Sequence, residues 1–309
     1  MSGQLGIGDE VVVDVGPLAH GGHCVARHEG RVLFVRHTLP GERVRARVTE
    51  GGDGDRFLRA DAVEVLTAAP GRVEAPCRYA GPGGCGGCDF QHVEVGAQRV
   101  LKGDVIRGQF RRLARRDVDV TVEPVPGDTD GLRWRTRVEF AVDGAGRPGL
   151  RPHRSHDVLP LADCLLAVPD VAAALAGSYA GCSGVDAVAP SVGAPAAVRL
   201  PVAAGEPVPV LTERVAAASL TGDFAVSARG FWQVHPGAAA TFVDAALDFL
   251  APAAGESALD LYAGVGVFAA ALGGAVGPGG RVVAVESDAD AVGHATRNLA
   301  AYPQVVAVR

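Results

Sequence analysis

The sequence predicts an α/β protein with an all-β N-terminal domain: a small barrel, a mixed α+β centre, and the first half of a doubly wound sheet. Three observations predict it. Residues 10–66 are short runs of alternating polar and apolar residues broken by glycine-containing turns. A stretch at 95–116 then switches to helical spacing, and from about residue 236 the pattern reads helix, strand, glycine loop, helix, strand, helix, strand. The implied domains are 1–68, 69–225 and 226–309.

The 309 residues, 48% of them hydrophobic, are enough for two or three packed domains. Charged residues make up 21%, and no apolar run approaches the roughly 20 residues of a membrane span. The N-terminus lacks the basic start and apolar stretch of a signal peptide, so a cytoplasmic chain with no membrane partner is expected, as a monomer. Lys102 is the only lysine and alanine, glycine and valine dominate, which reads as compositional bias. A net charge of −6 excludes a protein that coats nucleic acid over its whole surface and leaves room for local basic patches.

Five strands are expected in the first domain, at 10–15, 23–27, 31–36, 42–49 and 57–66. In the fourth, Val44, Ala46 and Val48 alternate with Arg43, Arg45 and Arg47, the period of a strand buried on one side. Gly21-Gly22, Glu29-Gly30 and Pro40-Gly41 supply turns. Five such strands close naturally into a barrel, a common oligonucleotide platform; a barrel without ligand is the plain alternative.

In the 95–116 helix, Ala97, Leu101, Val105, Ile106, Phe110 and Leu113 fall on one face. The other face carries Arg99, Lys102, Arg107, Arg111, Arg112, Arg115 and Arg116 against Asp104 alone. A solvated face would explain that run. If the barrel is an oligonucleotide platform, phosphate contact through Arg107, Arg111 and Arg115 is the stronger reading. A second basic cluster comprises Arg133, Arg135, Arg137, Arg147, Arg151 and Arg154.

Six cysteines in a cytosolic chain do not read as a disulfide framework. Cys77, Cys85 and Cys88 sit in CRYAGPGGCGGC, whose glycines let backbone wrap a compact centre, and Cys164 stands alone in LADCLL. Three close cysteines and a distant fourth suit tetrahedral zinc or an iron–sulfur cluster, and a redox CxxC is a third reading. Cys24 and Cys182 have no motif and read as small apolar residues.

In ALDLYAGVGVFAAAL an apolar strand at 258–262 runs into Gly264 and Gly266 and then a helix, so a ligand can approach backbone at the strand's carboxyl end. Glu286 ends the next strand, RVVAVE, where an acid can accept ribose hydroxyls; a solvent-facing acid is the alternative. Val267-Phe268 stand where a dinucleotide loop wants its third glycine.

These motifs resemble known families. Residues 22–48, with GRVLFVRHTLPGERVRARV, resemble the TRAM domain, an OB-like module of RNA-modifying enzymes. CGGCDFQH, with a cysteine before it and a lone cysteine far behind, is similar to the [4Fe-4S] motif of the class I, S-adenosylmethionine-dependent RNA uracil-5-methyltransferases, although the gap from Cys77 to Cys85 is longer than that pattern carries. The resemblance implies a structural cluster held by Cys77, Cys85, Cys88 and Cys164. FWQVHPGAA resembles the family's FxQxN segment, which implies that Gln233 contacts the methionine portion of S-adenosylmethionine, with His235 where asparagine is usual. By the same resemblance Tyr262 lies against the cofactor, Gly264 makes the Rossmann-like turn and Glu286 holds the ribose. Val267 replaces a frequent asparagine.

The implied reaction is methylation of carbon 5 of a uridine in ribosomal or transfer RNA. A cysteine adds to carbon 6, carbon 5 takes the methyl group, and a base removes its proton from a flipped-out uridine. The family's DPPR segment, nucleophilic cysteine and catalytic glutamate belong to the second half of the α/β domain, whereas this chain ends at Arg309 in QVVAVR. No catalytic residue is therefore assigned here. A fragment of a longer enzyme is expected, inactive alone, with an unpaired apolar edge near Val305. The alternatives are an RNA-binding iron–sulfur protein without catalysis and a small-molecule methyltransferase.

Overall fold

A computed structural model describes residues 5–52 and 54–309, so the first four residues of the expected barrel domain, and Asp53, lie outside the described residues. The chain packs as two compact units. One is Met1–Glu123 with Leu150–Leu159, and the other is Pro124–Gly149 with Pro160–Arg309.

The first unit is built on a closed five-stranded barrel. Its strands are β1 (Glu10–Ala19), β2 (His23–His28), β3 (Arg31–Arg36), β4 (Arg43–Glu50) and β5 (Phe57–Thr67), in the order β1-β2-β3-β5-β4. Only β3 and β5 run parallel. The period-2 pattern decides what fills it: Val44, Ala46 and Val48 point inward beside Leu33, Val35 and Leu58, all buried, while the arginines between them face out. β1 runs four residues past its expected end because a bulge between Val15 and Leu18 keeps it paired with β2. Below the barrel Glu42 is buried, accepting the Leu39 N–H at 2.8 Å and forming an ion pair with Arg72.

Helix α1 (Val95–Gln109) starts where the Glu94 carboxylate accepts the N–H groups of Gly96 (2.9 Å) and Ala97 (2.8 Å). It is shorter than expected. Residues 110–114 widen into a π-helical turn, and Arg115, at φ 52°, closes it in the left-handed region. Arg115 and Arg116 thus stand beyond the helix, and Phe110 and Leu113 are solvent-exposed rather than on a buried face.

A five-stranded sheet is made of β6 (Arg137–Val142), β7 (Pro148–Leu150), β8 (Leu159–Pro160), β9 (Gly184–Val188) and β10 (Ala196–Leu200), in the order β10-β9-β6-β7-β8. A short helix α2 (Pro169–Ala172) lies between β8 and β9 in sequence. β11 (Val210–Ala216) and β12 (Thr221–Ser227) form an antiparallel hairpin.

Then α3 (Ala238–Leu250), β13 (Ser257–Leu261), α4 (Val267–Val276), β14 (Arg281–Val285), α5 (Ala289–Asn298) and β15 (Val305–Val308) alternate, with β13-β14-β15 parallel. Alanines 269–271 of α4 are buried together with Val243, Val276, Val282 and Ala284. β13 and β15 are the two edges of this sheet, and Leu259, Leu261 and Val306 are exposed there. Among the described residues no helix is long and apolar enough to cross a membrane.

Candidate functional site

The glycine loop follows β13 as the sequence implies, and its backbone is unusual. Tyr262 stands at φ 62°, a region that aromatic residues rarely enter, with its side chain 91% exposed. Gly264 (φ 54°) has open space where a Cβ would be, whereas at Gly266 (φ 92°) a Cβ would lie 3.0 Å from Leu299. The loop therefore presents one open position to a ligand and one closed position to α5.

Glu286 follows β14 and reaches across to this loop. One carboxylate oxygen accepts the Gly264 N–H at 2.9 Å, and the other accepts the Asp288 N–H at 2.9 Å and the Ser287 hydroxyl at 3.2 Å. The Asp288 N–H, together with the other donors, holds the Glu286 carboxyl below the usual range, so the group is an anion at neutral pH. Three of about four acceptor sites are in use, leaving room for a hydroxyl donor.

Gln233 is half-buried, between β12 and α3 in sequence. The stretch entering β6 clamps this segment. Arg137 Nη1 donates to the carbonyls of Ser227 (3.4 Å), Ala228 (3.4 Å) and Gly230 (3.1 Å), and its Nη2 pairs with Glu213 at 2.9 Å. Thr136 donates its N–H (2.8 Å) and its hydroxyl (3.0 Å) to Val234 O. These anchors bracket Gln233, so its position is set by backbone rather than by its own side chain.

Two residues were not singled out from sequence. Asn298, at the end of α5, accepts the Ala225 N–H (2.9 Å) and donates to Ala225 O (3.0 Å) and Val265 O (3.0 Å), tying the glycine loop to β12. Nothing in TRNLA marks it beyond a polar residue near a helix end. Asp260, the one acid in an otherwise apolar strand, is the other. Burial pushes its carboxyl up to about 6 against one opposing hydrogen bond from the Ala269 N–H, and its Oδ2 is buried without a partner.

The Cys77–Cys88 loop lies in the first unit and Cys164 in the second. Cys85 is buried, the Gly87 N–H points to its sulfur at 3.4 Å, and Gln91 Nε2 points to the Cys88 sulfur at 3.5 Å. A Cβ on Gly86 would meet His153 N at 2.7 Å, so this turn needs glycine. N–H donors aimed at sulfur suit thiolates. Among the described residues, however, no three His, Cys, Asp or Glu side chains gather into a metal-binding group. None of the cysteines is in a disulfide, and burial raises the Cys24 thiol to about 11, which rules it out as a nucleophile near neutral pH.

The three candidate arginines of the basic segment differ. Arg107 pairs with Asp104 at 2.7 Å and also donates to Val120 O, Arg111 pairs with Asp117 at 2.8 Å, and Arg115 makes no ion pair among the described residues. Most of the second basic cluster is paired within the chain: Arg137 with Glu213 in the interior, and Arg133 with Asp163, Arg147 with Asp143 and Arg154 with Glu50 at the surface.

Residues 4–63 match the TRAM domain. An uncharacterized RNA methyltransferase of Streptomyces avermitilis is 48% identical across 97% of this chain and 77% of its own length. The 23S rRNA (uracil(1939)-C(5))-methyltransferase RlmD of Halomonas elongata is 39% identical over 51% of this chain and 32% of its own length. The tRNA (uracil-54, C5)-methyltransferase of Pyrococcus abyssi, solved in complex with S-adenosyl-L-homocysteine, shares the fold at a TM-score of 0.66 and 16% identity, covering 97% of this chain and 80% of that one. The chain belongs to the RNA uracil-5-methyltransferase family.

Proposed function

We propose that the protein uses S-adenosylmethionine to methylate carbon 5 of a uridine in ribosomal or transfer RNA, with the cofactor on the glycine loop between Tyr262 and Glu286. The observation that carries this is the Glu286 carboxylate, held as an anion by backbone N–H groups beside an open Gly264 and an exposed, left-handed Tyr262. When bound, the cofactor supplies an electrophilic methyl group. Glu286 takes the ribose hydroxyls on its remaining acceptor capacity, Tyr262 covers the adenosine, and Gln233 orients the methionine portion from its clamped segment. The backbone strain at Tyr262 keeps that side chain out of the sheet and aimed at solvent, where a ligand can reach it.

The barrel and the arginines 107, 111 and 115 contact RNA phosphate, which positions the substrate without reading its sequence. Cys77, Cys85, Cys88 and Cys164 hold a [4Fe-4S] cluster that stiffens the fold. The N–H donors to the Cys85 and Cys88 sulfurs support that role. No step of methyl transfer runs through it. Nucleoside mass spectrometry of ribosomal and transfer RNA, from cells with and without the gene, tests the function. Loss of 5-methyluridine from one RNA class is expected; unchanged 5-methyluridine in both would refute it.

A further inference from the structure

The stretch entering β6 holds one cation that the fold does not use. Arg133 and Arg137 pair with Asp163 and Glu213, but the side chain of Arg135 between them has no hydrogen bond or ion pair among the described residues. Its guanidinium lies over the Trp134 ring, 5.2 Å from the centroid, and its Nε is buried without a partner. Guanidinium keeps its charge at any working pH, so this Nε stays a donor whatever the pH.

A second unpartnered donor sits at the same indole. The His235 ring lies 5.7 Å from Trp134, centroid to centroid. The Gly237 N–H donates to its Nδ1 at 3.1 Å. A nitrogen that accepts a backbone N–H carries no hydrogen, so the neutral ring holds its proton on Nε2. That Nε2 is also buried with no partner. Both unmet groups are donors, and one is cationic: the partner they lack is an anionic acceptor.

The setting is rigid. A Cβ on Gly237 would lie 2.6 Å from Pro126 O and 2.9 Å from Val125 Cγ1, so no side chain fits where this N–H is aimed at the histidine. Trp134 Nε1 donates to Gly131 O at 2.9 Å, which fixes the indole. Thr136 fixes Val234 next to the histidine.

We propose that Arg135 and His235, mounted on Trp134, form an oxyanion subsite that takes a carboxylate or phosphate oxygen of the substrates. The choice of ligand rests on the methyltransferase reading, which offers two sources: the carboxylate of the cofactor's methionine portion and an RNA phosphodiester.

The protein's two tryptophans give two indole N–H resonances, which a Trp134→Phe variant assigns. Inorganic phosphate titrated at constant ionic strength should shift the Trp134 resonance saturably and leave Trp232 unmoved. The shift should vanish in Arg135→Met, which keeps the apolar cover, and saturate about tenfold later in His235→Phe. If Arg135→Met does not fold, Arg135→Gln serves the same purpose. A shift that never saturates, or one that survives the loss of Arg135, overturns the subsite.

Two further titrations distinguish the sources. If the cofactor carboxylate sits here, Arg135→Met erases the preference for S-adenosylmethionine over its decarboxylated analogue. If RNA phosphate sits here, that preference stays and affinity for an oligouridylate falls about tenfold. Phosphate binding in a protein that takes neither ligand would sink the methyltransferase reading and leave the subsite standing; binding of both ligands without any effect at Arg135 would do the reverse.

Discussion

The barrel and the parallel sheet solve the same problem of apolar strands in opposite ways. In the barrel every strand has two paired neighbours and the inward side chains are sealed, Leu33, Val35 and Val44 among them, so apolar closure alone accounts for its order. In the sheet β13 and β15 each have one neighbour, Leu259 and Leu261 are 59% and 57% exposed, and the loops are held by polar clamps: Arg137 on 227–230, Asn298 on Val265, Glu286 on Gly264. Left-handed residues and unpartnered buried atoms occur in both, with His37 just after β3 and Tyr262 and Asp260 in the sheet. In the sheet they flank a loop braced by the anionic Glu286, which is where the cofactor is expected.

The largest effect should come from a clamp. Arg137→Met leaves Glu213, itself buried, without its counter-charge, and should cost the second unit about 3–5 kcal/mol by urea denaturation. A cost no larger than that of a surface change would mean that the clamps are not what holds this region.

Next is the seal. Leu33→Ala should cost the barrel about 2–5 kcal/mol, whereas Leu261→Ala, at an exposed edge, should stay within about 0.5 kcal/mol. Similar costs at the two positions would erase the contrast.

Asp260 gives the pH dependence. Its carboxyl rises from an ordinary 3.8 to about 6 in the fold, so between those values the folded chain holds a proton that the unfolded chain has released. Stability should therefore fall as pH rises through that window, and Asp260→Asn should flatten the slope there while leaving the protein unchanged below it. Denaturation midpoints taken from pH 4 to 7 check this, and parallel curves for the two proteins would show that the Asp260 carboxyl titrates alike in the folded and unfolded chains.

The smallest effect concerns RNA. Arg115, without an ion pair among the described residues, should flatten the slope of log affinity against log salt by about 0.7 when changed to Gln, and Arg107, tied to Asp104 and Val120 O, should change it less. Filter binding at several salt concentrations reads both. An unaltered slope after neutralising Arg107, Arg111 and Arg115 together would reduce the basic face to a solvated one.

Much of the barrel was legible because alternation has one physical meaning there: Val44, Ala46 and Val48 could only point inward, and the strand at 31–36 has the bounds the pattern implies. The glycine loop was legible for a similar reason, since Gly264 and Gly266 follow an apolar strand. The end of α1 was not, because a π-helical turn and a left-handed Arg115 leave no mark in the spacing of apolar residues. Nor were the clamps. Arg137 and Asn298 differ from their neighbours only in what they meet across 70 to 100 residues of chain, and Arg135 only in a buried Nε that lacks an acceptor among the described residues.

Isothermal titration of S-adenosylmethionine into the wild-type protein and Glu286→Ala tests the central claim most directly. The account predicts a single saturable site that weakens by about 1–3 kcal/mol in the variant, the cost of leaving charge-assisted hydrogen bonds unmade. Equal affinities would show that Glu286 serves only to brace Gly264 and that the cofactor binds elsewhere.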